Sequence, residues 1–179
     1  MSKKNEFLPE GYEVPASSAA SYFKFKQGQN TFRIVTKPII GWLGWTEDNK
    51  PERRRTKDEL ASVELKDKIK HFWAFGVYDL NTNTVQVLEL TQSTILSALT
   101  DIFNNPDWGA PFAYNITINK TGEGMETSYT VTPTPPKELS NEAKDKVVEK
   151  PLNLEALFDG GDPFEAVQTE PKAYDADAI

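Results

Sequence analysis

The sequence predicts a mainly β fold with one internal helix and a disordered acidic tail. Three observations predict it. Short segments of alternating residues recur, rich in aromatic and β-branched types and separated by turn residues. One stretch, Thr91 to Asn104, switches to helical spacing. The net charge of -7 falls entirely in the last quarter of the chain, where periodicity stops.

Met1 to Ser21 is polar and carries Pro9, Gly11 and Pro15, which suits a flexible arm. Tyr22 to Lys26 alternates, Gly28 supplies a turn, and Thr31 to Thr36 alternates again, with Phe32 and Ile34 opposite Arg33 and Val35. Ile39 to Trp45 is apolar and punctuated by glycine, as in a bent or bulged strand. Thr46 to Lys70 breaks the pattern and reads as a long charged loop containing Arg53-Arg54-Arg55, with a short helix available over Asp58 to Lys68. Ile69 to Leu80 is an aromatic-rich strand with rings on both faces, and its ambiguity lies there. Asn81-Thr82-Asn83 turns it into a hairpin partner, Thr84 to Leu90.

Ile95, Leu96, Leu99, Ile102 and Phe103 then mark one face of a helix, with Thr91 as its cap and Asn105-Pro106 as its stop. Phe112 to Asn119 and Thr127 to Thr132 are strands joined at Thr121-Gly122-Glu123-Gly124. After Pro133, Pro135 and Pro136 come a weakly helical Glu138 to Lys150 and an apolar cluster, Leu152 to Phe158. Five strands with a helix between the third and fourth is the order of an OB-type five-stranded Greek-key barrel, an oligonucleotide- and oligosaccharide-binding architecture. The organisation expected is an arm over 1–20, a barrel over 21–136, a linker with weak helix over 137–158 and an acidic tail over 159–179.

Composition narrows the chemistry. Zero Cys among 179 residues removes thiol nucleophiles, disulfides and Cys-based zinc sites. A single His, His71, removes the two-His metal motifs and has no Ser or Cys partner nearby in sequence. No window approaches the about 18 apolar residues of a membrane span. A non-enzyme without metal or cofactor, in the cytoplasm, is therefore expected.

The charge is split. Residues 138–179 carry four Lys against eleven acids, whereas residues 20–72 carry twelve Lys or Arg against seven. Such a split points to a polyanionic partner and a tail that imitates or repels it. Basic and aromatic residues are also interleaved, which is what a single-stranded nucleic acid needs: a cationic track for phosphates and rings on which bases stack. On that reasoning Lys24, Lys26, Arg33, Arg53, Arg54, Arg55, Lys57, Lys68 and Lys70 would track phosphates, and Trp42, Trp45, Trp73 and Tyr78 would stack. Phe23, Phe25, Phe32 and Phe103 have the period of a buried face.

The ordered series Gly28-Gln29-Asn30-Thr31-Phe32-Arg33-Ile34, Gly41-Trp42 with Trp45, Lys70-His71-Phe72-Trp73, Val85 to Gln92, Asn105 to Gly109 and Gly122 to Thr127 resembles bacteriophage single-stranded-DNA-binding replication proteins of the OB type. The resemblance implies a non-enzymatic protein that coats single strands during phage replication and recombination, within the host cytoplasm. The tail, through Asp159, Asp162, Glu165, Glu170, Asp175 and Asp177, resembles tails that recruit replication partners. It lacks the Pro-Phe tip of the bacterial pattern and ends Asp175-Ala176-Asp177-Ala178-Ile179. A protein-interaction adaptor and a single-stranded-RNA module are the alternatives.

Overall fold

A computed structural model describes residues 22–164. Seven strands form one sheet: β1 (Gly28–Ile34), β2 (Ile39–Trp45), β3 (Pro51–Arg54), β4 (Lys70–Asp79), β5 (Thr84–Leu90), β6 (Asn115–Thr121) and β7 (Ser128–Pro133). Two helices accompany it, α1 (Ser93–Asn104) and α2 (Asn141–Glu149). The pairing order is β3-β2-β4-β1-β6-β7, with β5 attached to β4. The sheet is open, so the five-stranded barrel with a single helix is not what the chain forms.

The open side has a physical cause. Phe23 donates its backbone N–H to Val87 O at 2.9 Å, which takes up hydrogen-bonding capacity on β5. Phe25 meets Tyr129 of β7 ring to ring at 5.5 Å. The extended segment after Tyr22 therefore touches both β5 and β7, which make no ladder with each other. Asn30 fixes the next turn: its amide donates to Lys26 O, Gly28 O and Ile118 O, and its Oδ1 accepts from Lys26 N–H.

β4 is the central strand. β5 runs along one edge from Thr84 to Leu90, while the other edge is shared by β2 and β1. Its front face carries Phe75 and Val77, which join Phe32, Ile34, Leu88, Leu90, Ile116 and Ile118 beneath Ile95 and Leu99 of α1. Its back face carries Phe72, Ala74 and Tyr78, covered by residues 139–164. Phe72, Phe75 and Tyr78 thus have one explanation: both faces of the strand are covered there, while Trp73 is only partly buried.

The C-terminal cover is built on local signals. Ser140 caps α2, its Oγ accepting from Ala143 N–H at 3.2 Å, and Ala143 and Val147 face inward at i,i+4 spacing. A 3-10 turn, Leu154–Asp159, buries Leu154 and Leu157. Glycines on the sheet make room for apolar side chains of this cover. A Cβ at Gly76 would sit 2.5 Å from Leu152 Cδ1 and 2.7 Å from Thr36 Cγ2; at Gly41 it would sit 2.9 Å from a Phe158 ring carbon. Gly41 and Gly44, expected to mark a bulge, instead leave room for the Arg54 carbonyl and Phe158 and for Leu65, respectively.

The long loop is also corrected. Asn49, at φ 60, closes a tight turn in which Thr46 N–H donates to Lys50 O, and Pro51–Arg54 returns as an edge strand on β2. The short helix over 58–68 reduces to a 3-10 turn, Asp58–Leu60. The α1 cap is Gln92 rather than Thr91, with no side-chain cap bond.

Gly76→Ala is expected to cost about 1–3 kcal/mol by overpacking Leu152 and Thr36, read as a lower denaturation midpoint. Tyr114 is buried with a hydroxyl that has no hydrogen-bond partner among the described residues, and burial pushes its pKa up. Because burial disfavours the phenolate, stability is full below the ordinary value near 10 and falls as pH climbs from there through the raised value. Tyr114→Phe should leave stability at neutral pH unchanged or higher and reduce the alkaline loss, measured by urea titration across pH.

Candidate functional site

The arginine run divides by strand period. Arg53, opposite Leu43, points to the back and is 9% exposed; its Nε lies 2.6 Å from Glu89 Oε2, itself 18% exposed. Arg54, opposite Trp42, pairs with Glu52 at 3.0 Å and donates to Arg53 O at 2.8 Å. Arg55, past the strand, pairs with Glu155 and lies over the Phe158 ring at 4.4 Å. None of the three is an uncompensated cation, whereas the residue pattern alone placed all three on phosphates.

Arg33 is buried at the back of β1. Its guanidinium donates to Asn115 Oδ1 at 2.7 Å, to Phe112 O at 3.0 Å and to Lys137 O. Burial pushes its pKa down. It ties β1 to the approach to β6 and to the start of the C-terminal cover, and the groove-facing position read from alternation is not the one it occupies. Tyr22 also lies at the back, where burial pushes its phenol up while Arg53 pulls it down.

The four rings expected to stack have different surroundings. Tyr78 is buried at the back, its hydroxyl 3.3 Å from Asn83 Oδ1. Trp73 stacks on Phe103 at 6.3 Å and 21°. Trp42 lies 4.7 Å from the His71 ring and has Lys57 Nζ over it at 5.6 Å. Trp45 is exposed at the end of β2. Lys24, Lys26, Lys57, Lys68 and Lys70 are exposed. Of the tail residues, Asp159 and Asp162 are exposed, and Asp162 Oδ1 accepts from Phe164 N–H at 2.9 Å. Glu165, Glu170, Asp175 and Asp177 lie outside the described residues.

What the sheet does bring together is a front strip on β2 and β4. Registers set Ile40 beside Trp73 and Trp42 beside His71, with Arg54 next in line on β3. Ile40 is 51% exposed between two partly buried tryptophans, Trp42 and Trp73. His71 Nδ1 is buried without a hydrogen-bond partner. A hollow of about 310 Å³ adjoins the strip, lined by His71, Trp73 and, from α1, Leu96, Ser97, Thr100 and Asp101. Sequence reasoning missed Ile40 altogether, because two adjacent isoleucines after Pro38 do not state which of them lies under a cover.

No family model, curated protein or solved structure matches the chain. The resemblance to phage single-stranded-DNA-binding proteins is therefore not upheld. The coating function in replication and recombination that came with it loses its basis together with the closed barrel.

Arg53 and Arg55 should separate in mutagenesis. Arg53→Met leaves Glu89 largely buried without its cation and is expected to cost about 3 kcal/mol or more. Arg55→Ala removes a solvent-screened pair and should cost under about 1 kcal/mol. Equal losses in chemical denaturation would contradict these placements.

Proposed function

We propose that the protein acts by binding another protein through the front strip of β2 and β4. The partner segment carries an apolar anchor next to a carboxylate. The observation that carries the reading is Ile40, half exposed beside Trp73 and Trp42, with the Lys57 ammonium over the neighbouring ring. Tryptophan and exposed aliphatic groups at one spot are the composition of a protein-interface centre, and a cation at its edge selects an acidic neighbour.

The hollow beside His71 and Trp73 suits the anchor side chain, with Ser97, Thr100 and Asp101 at its polar wall. No residue in this reading acts as a catalyst.

A fluorescent peptide that alternates Phe or Leu with Asp or Glu is the probe, read by anisotropy. It should bind the full chain, and Ile40→Ser and Lys57→Glu should each weaken it by about tenfold, equivalent to about 1.4 kcal/mol. Both side chains are solvent-facing, so circular dichroism should be unchanged. No binding, equal binding by both variants, or displacement of the peptide by an uncharged apolar peptide of the same length would overturn the proposal.

A further inference from the structure

A second site lies on the back of β3, away from the strip. Between β3 and the 3-10 turn Leu154–Asp159 there is an open cleft of about 940 Å³, within the range of small-molecule sites. One wall carries Lys50 and Arg55, with Arg54 at its rim; the other carries Glu155 and Phe158. The two walls meet at one charged contact, Arg55 with Glu155, whose side chains are 61% and 56% exposed.

That contact is built to exchange. A pair this exposed is worth about 0–1 kcal/mol, so another anion can take the place of Glu155 at little cost. Phe158 holds the guanidinium from its ring face, with Arg55 Cζ 4.4 Å from the centroid, and this contact does not depend on Glu155. Arg55 therefore stays aimed when its carboxylate leaves. Lys50, on the same wall, has no ion-pair partner among the described residues. Glu59 and Asp159 also line the cleft, as does Glu52 in its pair with Arg54, and this negative charge disfavours a polyanion and admits a ligand with one anionic group.

We propose that this cleft binds a compact organic anion, with a carboxylate or phosphate monoester on Arg55 and an apolar body against Phe158. In the free protein Glu155 occupies the position of that anionic group. The residue is a built-in competitor, and affinity is set by how readily it gives way.

Calorimetric titration of the full chain with phenyl phosphate, benzoate and inorganic phosphate tests this. Phenyl phosphate or benzoate should bind the wild type, and whichever binds more tightly identifies the head group. Glu155→Gln should tighten that binding by up to about fivefold, the equivalent of the weak pair no longer displaced. Arg55→Gln should abolish it with the melting temperature kept. Inorganic phosphate should bind more weakly than phenyl phosphate. Failure of both aromatic anions to bind Glu155→Gln, or equal binding by Arg55→Gln and wild type, would overturn the site. Inorganic phosphate binding as tightly as phenyl phosphate would overturn the role of the apolar body.

Discussion

The second half of β4 has no free side. From Ala74 to Asp79 it is hydrogen-bonded along both edges and buried on both faces, and the rest of the chain is arranged around those four demands. The edges take β5 on one flank and β2 followed by β1 on the other. The faces need two separate covers, because a strand with Phe72, Ala74 and Tyr78 behind and Phe75 and Val77 in front exposes apolar surface whichever way it is turned. α1 supplies the front cover from an adjacent segment. The back cover arrives from residues 139–164, after two more strands, and seats Leu152 where Gly76 has no Cβ.

This arrangement decides what could be read from the residues. The residue pattern identified β1, β2, β4, β5, β6 and β7 to within a few positions, by alternation where one face is buried, by a glycine-punctuated apolar run for β2 and by an aromatic-rich run for β4. It also assigned Arg33 correctly to the side opposite Phe32 and Ile34. What alternation cannot state is whether that side meets water. Arg33 faces the back, where the C-terminal cover and the β6 approach enclose it, and its partners Phe112, Asn115 and Lys137 are all more than seventy residues distant in sequence. The same non-local cover buries Tyr78. Closure failed for a related reason. Strand number and helix position fit a barrel, but Phe23 and Phe25 interpose between β5 and β7, and only three-dimensional placement shows where a short flanking segment lies.

β3 was hidden for a different reason. Pro51-Glu52-Arg53-Arg54 has no apolar residue at alternate positions, so it carries none of the pattern by which strands are recognised. Its inward position is filled instead by a cation, made tolerable by Glu89 on β5. Glu89 in turn stands at a position of β5 that faces the back, where Val85 and Val87 are apolar. Two charges at core positions of two strands cancel each other's signal in sequence and satisfy each other in space. The turn at Asn49, with its positive φ, was the one local clue, since asparagine tolerates that conformation better than most residues.

A run of three arginines looked uniform because charge was the only property considered. On a strand, consecutive residues face opposite sides, and where the strand ends the next residue leaves the sheet altogether. Arg53 is thereby a structural ion pair, Arg54 borders the front strip beside Trp42, and Arg55 stands over the back cleft on Phe158. One hairpin thus contributes to two surfaces that a single β-strand keeps apart, and the intervening buried Arg53–Glu89 pair holds the hairpin on the sheet. Anything that loosens that pair should disturb both surfaces together, whereas changes at Ile40 or at Glu155 should each affect one alone. The coupling arises from the period of the strand and does not require the two ligands to communicate.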